Sequence, residues 1–159
     1  MPKFKKDSKV KIANIGEEAN VLAELGNGGQ GTVYCVSLRK KEYAMKWYHK
    51  PQNQDFYNNL KNNIEKGKPN DSFLWPLYLT EKAKDNTFGY LMELRSADYK
   101  DFGKFLLAKE HFACVSAMIT AAILICSNFR ILHNKGYSYQ DLNDGNFFIN
   151  PRNGDVLIC

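Results

Sequence analysis

Leu25-Gly26-Asn27-Gly28-Gly29-Gln30-Gly31-Thr32-Val33-Tyr34-Cys35-Val36 occupies residues 25–36 of the chain. Gly26, Gly28 and Gly31 give the spacing G-x-G-x-x-G, and Val33 extends it to G-x-G-x-x-G-x-V. Glycines let a backbone approach phosphate oxygens closely and aim N–H groups at them. Dinucleotide-binding folds share the spacing, but there the glycines lead directly into a helix. Here they lead into Thr32-Val33-Tyr34-Cys35-Val36, which has the β-branched and aromatic composition of a strand. No Gly-Lys-Ser/Thr follows, so a Walker-type loop is excluded. The glycines therefore turn a hairpin, and the flanking residues must say whether that hairpin also holds phosphate.

Working outward, Tyr43-Ala44-Met45-Lys46-Trp47-Tyr48 reads as the next strand, after a charged turn at Arg39-Lys40-Lys41-Glu42. Alternation puts Ala44 and Lys46 on one face. A small residue beside a lysine suits a flat adenine with phosphate beyond it; a surface lysine on an edge strand is the plain alternative. Residues 21–48 thus supply three antiparallel strands. Residues 55–66 are polar with Phe56, Leu60 and Ile64 four apart, a short helix with one apolar edge, ended by Gly67 and Pro69. Strands at 74–80 and 87–94 complete a five-stranded antiparallel sheet with one helix. Beyond Leu94 the character becomes helical, with a short piece at 102–107 and a long helix over 110–133. In that helix Phe112, Val115, Ile119, Ala122, Cys126 and Phe129 form one stripe. Ile123, Leu124 and Ile125 make the opposite side apolar too, so burial all round is expected. A loop at 139–145 and a hairpin of 146–149 with 156–159 close the chain. The fold class is α+β.

Tyr139-Gln140-Asp141-Leu142-Asn143-Asp144-Gly145-Asn146 is, taken alone, a polar turn. Following the glycine hairpin and the lysine strand in that order, it resembles the H-R-D-L-x-x-x-N catalytic loop of the protein kinase superfamily. The resemblance is to bacterial eukaryotic-like serine/threonine protein kinases. It implies a kinase-like fold with an ATP-binding N-lobe at 21–94, the first, mainly helical part of a C-lobe at 95–159, and a basic N-terminal arm at 1–20. It also implies ATP and Mg2+ as cofactors and a protein as substrate. Gly26, Asn27, Gly28, Gly29, Gln30, Gly31, Val33 and Ala44 would surround the nucleotide, and Lys46 would grip its α- and β-phosphates. Glu65, nineteen residues on, would pair with Lys46, although a surface glutamate in the last helical turn is its rival. Met92 would be the gatekeeper, with Glu93 and Arg95 offering backbone contacts to adenine. Asp141 would act as catalytic base and Asn146 as metal ligand.

The departures from the family pattern matter as well. Tyr139 replaces the histidine and Gln140 the arginine that commonly contacts a phosphorylated activation loop, so that route of regulation is not implied. Asn143 stands where serine/threonine kinases carry a lysine. Gly145-Asn146 is similar to the loops of aminoglycoside and choline phosphotransferases. In the family, the strand equivalent to 156–159 runs into D-F-G, whose aspartate binds magnesium; the chain ends at Cys159, so roughly three fifths of a kinase domain is expected and the isolated chain should be inactive. Three readings stay open: a protein kinase, a pseudokinase or nucleotide-binding scaffold, and a small-molecule phosphotransferase.

Composition narrows the setting. The net charge of +5, from 22 basic and 17 acidic residues, is spread along the chain, which argues against a nucleic-acid partner. Lys3, Lys5, Lys6, Lys9 and Lys11 suggest a solvated basic arm. Cys35, Cys114, Cys126 and Cys159 lack metal spacing and suggest buried, reduced thiols in a cytoplasmic protein. His49, His111 and His133 are isolated. Residues 113–126 are too few to cross a bilayer, which needs about 20 apolar residues, so no membrane partner is expected. Apolar surface on residues 112–129 makes self-association the expected alternative.

Overall fold

A computed structural model describes residues 3–159. The chain divides into two units: residues up to Gly67 together with Trp75–Leu94, and Lys68–Leu74 together with Arg95–Cys159.

In the first unit, β2 (Glu18–Asn27), β3 (Gly31–Leu38) and β4 (Lys41–Tyr48) form the expected meander. The link between β3 and β4 is two residues, Arg39 and Lys40, with φ of 51° and 64°. Positive φ at both central positions matches the twist of the flanking strands. β5 (Tyr78–Leu79) and β6 (Gly89–Glu93) add to the same sheet, β5 being much shorter than the 74–80 expected.

A sixth strand corrects the expectation of a solvated arm over 1–20. β1 (Lys9–Lys11) pairs with β2, giving the order β1-β2-β3-β4-β6-β5. Val10, Ile12 and Ala19 are buried, Lys9 and Lys11 point outward, and Ile12 bridges to Thr80. The lysines alternate with apolar residues at the strand period of two, and counting charge hides that alternation. Phe4 joins in, meeting Tyr34 and Trp47 edge-on at 5.6 and 4.7 Å. Together with Val21, Val36, Tyr43, Met45 and Leu91, these side chains fill the core on one face of the sheet.

α1 (Gln54–Lys66) begins at Asn53, whose side chain accepts a hydrogen bond of 2.8 Å from Phe56 N–H, and stops at Gly67, φ 76°. Its apolar edge is half-buried: Phe56 meets Tyr48 at 5.3 Å and Tyr57 meets Phe88 at 4.9 Å. The Trp75 indole N–H donates to the Asn63 carbonyl at 2.7 Å.

The second unit holds a three-stranded sheet of β7 (Lys100–Asp101), β8 (Phe147–Ile149) and β9 (Val156–Ile158), β7 being unexpected from sequence. Residues 72–74 run alongside β9: Leu74 N–H donates to the Ile158 carbonyl and Ile158 N–H to the Ser72 carbonyl, both at 2.8 Å. The helices are α2 (Phe102–Leu106) and α3 (Val115–Asn134). α3 starts five residues later than the 110 expected, because Cys114 is extended and Ala113 N–H is bonded to the Pro151 carbonyl at 2.9 Å.

The burial of α3 also differs from expectation. Its buried residues are Ala117, Ala121, Asn128 and Leu132. Of the expected core stripe, Val115, Ile119, Ala122 and Cys126 are exposed and only Phe112 and Phe129 are half-buried; Met118 and Ile123 are 48% and 59% exposed, and of the other cysteines Cys114 is exposed and Cys35 buried. Around Ala117 the inward side chains are small, because the hairpin turn packs directly on the helix backbone there. A Cβ at Gly154 would lie 2.0 Å from the Ala117 carbonyl oxygen. At 20 residues, α3 is also long and apolar enough to cross a membrane by length and composition, which overturns the length argument on residues 113–126.

Candidate nucleotide and phosphotransfer sites

Strand register assembles the first site. Val33 lies opposite Lys46, and Lys46 opposite Tyr90; Cys35 lies opposite Ala44, and Ala44 opposite Met92. Directly paired residues project from the same side of a sheet. Val33, Cys35, Ala44, Lys46, Tyr90 and Met92 therefore form two rows on the face away from the Tyr34, Met45 and Leu91 core. Ala44 and Met92 are buried and Lys46 is half-buried, which gives a flat apolar floor with one cation at its edge. Burial pushes the Cys35 thiol up, and the nearby Glu42 carboxylate adds to the effect.

The glycine run is a hairpin turn, closed by a 2.9 Å hydrogen bond from Gly28 N–H to the Gly31 carbonyl. Gly31 is required by packing, since a Cβ there would lie 2.4 Å from the Trp47 carbonyl oxygen. Gly26 and Gly29 have no such need: a Cβ on either would meet nothing within 4 Å, and neither has positive φ. Together with Asn27, Gly28 and Gln30 they form an exposed stretch in which three of five residues carry no side chain. This cradle fits a polyphosphate.

Glu65 does not join this face. It is exposed in the last turn of α1, and among the described residues it forms no ion pair with Lys46. The expected pairing is corrected accordingly: Gly67 ends the helix two residues later and leaves Glu65 at the solvent edge. The Lys46 ammonium instead lies 5.7 Å from the centre of the Tyr48 ring. Met92 sits on the site face, whereas Glu93 lies opposite Tyr43 and sends its side chain to the other side. The Arg95 side chain donates to the Tyr99 carbonyl and lies 4.3 Å over the Phe148 ring. Burial pulls the Arg95 guanidinium below its usual value.

The second site is built within the other unit. Asn146 Nδ2 donates to the Asp141 carbonyl at 2.7 Å and to Asp141 Oδ2 at 3.2 Å. Asn143 Nδ2 donates to Asp141 Oδ1 at 2.9 Å, while Asn143 Oδ1 accepts from Gly145 N–H at 3.0 Å. Each carboxylate oxygen of Asp141 is thus held by one amide, and the group stays exposed. Asn143, read from sequence only as a missing lysine, is one of the two clamps. Asn146 makes both its bonds to Asp141 through nitrogen, which leaves Oδ1 for a hard cation such as magnesium. Among the described residues no group of three or more His, Cys, Asp or Glu side chains is placed to hold a metal by itself. Tyr139 packs edge-on against Phe129 at 5.3 Å and donates to the Cys159 carbonyl at 2.5 Å. Burial, reinforced by negative charge at Cys159 and Asp141, raises its pKa well above the usual phenol value.

No family model and no curated protein matches the sequence. Solved structures do. A structure of vaccinia related kinase 3 superposes with a TM-score of 0.71 at 12% identity, over 99% of this chain and 51% of that one. Two structures of the Mycobacterium tuberculosis PknI kinase domain, one of a single mutant and one of a double mutant, give TM-scores of 0.67 and 0.69 at 17% identity, each over 99% of this chain. They are covered over 62% and 61% of their length, so the chain spans between half and two thirds of these relatives. At this identity the likeness is one of architecture, and it is close: the chain has the protein-kinase fold.

Proposed function

We propose that this chain carries the nucleotide-binding and catalytic-loop parts of an ATP-dependent protein kinase, which passes a phosphoryl group to a protein hydroxyl. The observation that carries this reading is the shared face of Val33, Ala44, Lys46 and Met92, bordered by an exposed glycine hairpin. Adenine would lie on Ala44 and Met92, and the phosphates would reach Lys46 and the backbone N–H groups of Gly29 and Gln30 at the hairpin tip. Asp141 would take the proton of the attacking hydroxyl. The new bond forms from that oxygen to the γ-phosphorus as the bond to the bridging oxygen of ADP breaks. The amides of Asn143 and Asn146 hold the carboxylate in place for this role. Magnesium, when bound, offsets phosphate charge, and Asn146 Oδ1 is the atom suited to it.

Binding and transfer are tested in order. Mg-ATP at about 100 times its dissociation constant should stabilise the chain by about 2.7 kcal/mol in a thermal shift, and Lys46→Ala should remove that gain. An undiminished shift in Lys46→Ala would reject the site. Transfer to a protein substrate should fall by about 10²–10⁴ in Asp141→Asn. The absent Lys46–Glu65 ion pair favours a second reading, a nucleotide-binding scaffold. Stabilisation by nucleotide with no transfer that depends on Asp141 would select it.

A further inference from the structure

The lysine of the nucleotide face has an aromatic neighbour where an acid was expected. Lys46 and Tyr48 are two apart on β4, so both side chains leave the sheet on the same side. The ammonium lies over the Tyr48 ring, 5.7 Å from its centre, within the range at which a cation is drawn to the electron-rich face of an aromatic. Tyr48 is itself fixed. Its ring meets Phe56 at 5.3 Å, Phe88 at 5.7 Å and Tyr90 at 6.2 Å. Phe56 belongs to the first turn of α1, so the helix reaches the lysine strand through rings at its start, while Glu65 at its far end stays in solvent.

We infer that Tyr48 is the positioning residue for Lys46, doing through its ring what a carboxylate would do by ion pairing; this rests on the nucleotide-binding reading above. The two kinds of partner differ chemically. A carboxylate orients an ammonium but cancels its charge and occupies its N–H donors. A ring orients it without formal charge, so the positive charge and the donors remain for phosphate oxygens. Polyphosphate binding then leans on an uncompensated cation and weakens as salt is added. The ring face, not the hydroxyl, is the working part.

The test uses the full chain. Reductive dimethylation with 13C keeps lysine charged and gives each side chain a methyl signal, with Lys46 assigned through Lys46→Arg. Without nucleotide, the Lys46 methyls should be shifted upfield by the ring, keep that shift in Tyr48→Phe and lose it in Tyr48→Leu. Affinity for a fluorescent ATP analogue should fall about two- to five-fold in Tyr48→Leu, the range of a partly exposed cation–π contact, and Tyr48→Phe should restore it. Glu65→Gln should cost less than Tyr48→Leu. A Lys46 signal that ignores Tyr48→Leu, or a larger loss in Glu65→Gln, overturns the inference. If Tyr48→Leu unfolds the sheet, Tyr48→Trp decides instead: a larger upfield shift supports the contact and its loss refutes it. A chain that binds no nucleotide would sink the functional reading, while the methyl signal would still decide the contact.

Discussion

The sheet of the first unit and helix α3 of the second draw on similar apolar side chains, yet they treat them in opposite ways. In β3 and β4, one face packs into a core of Tyr34, Val36, Tyr43, Met45 and Trp47, and the other carries the candidate nucleotide floor. Both faces have an occupant or a use. In α3 Ala117 and Ala121 turn inward and the larger side chains of Val115, Ile119 and Ile123 turn out. The difference lies in what arrives next to each element. The strands meet β1, Phe4 and each other; α3 meets a glycine turn that tolerates only small side chains. Apolar composition states what a segment would gain from burial, and close backbone approach decides which side receives it.

The widest gap should come from truncating one side chain on each element. Met45→Ala removes a wholly buried side chain and should cost about 2–5 kcal/mol in urea unfolding, whereas Ile119→Ala should cost less than about 0.5 kcal/mol. Equal losses would mean that α3 is covered in solution. Next in size are the glycines. Gly31→Ala places a methyl against the Trp47 carbonyl and should cost about 1–3 kcal/mol through strand displacement. Gly29→Ala meets nothing and should leave the unfolding midpoint in place while weakening nucleotide binding. A fall in stability at Gly29 would show that the hairpin tip is packed after all.

The smallest effect concerns how the N-terminal segment is tied to the sheet. The Lys3 ammonium and the Thr87 groups hold the Asp85 carboxyl well below the usual carboxylate range. A carboxyl whose folded value is depressed stabilises the fold above its unfolded value and loses that contribution as pH falls towards the folded one. Asp85→Asn should therefore lower the melting temperature slightly at pH 7, and the gap should close as pH drops below about 4. A gap that persists in acid would assign the effect to the Asp85 turn instead of its charge.

Local patterns are legible in the sequence because local chemistry sets them. The glycine hairpin, the Lys46 strand and the Asp141 loop depend on alternation and turn residues within a few positions, and the apolar edge with Gly67 places α1 to within one residue. β1 is obscured because its lysines alternate with Val10 and Ile12. The outward stripe of α3 is illegible for a different reason: a helical period gives two possible inner faces when both are apolar, and only the approach of Gly154 selects one. Glu65 misleads because spacing along a chain does not say which way a helix end points. Tyr48 gives no signal of its own, since an aromatic beside a lysine looks like ordinary core.

The chain crosses between its units three times, after Gly67, after Leu74 and after Leu94. The middle excursion is short, but its backbone is laced to β9 through Ser72 and Leu74. A protease cut after Leu94 would therefore not release two intact modules: the front fragment would carry away a seven-residue stitch that belongs to the rear one. Gene fusions or swaps that treat the halves as exchangeable cassettes must keep that stitch with its own β9, or they will trade away a strand edge along with the half they meant to replace.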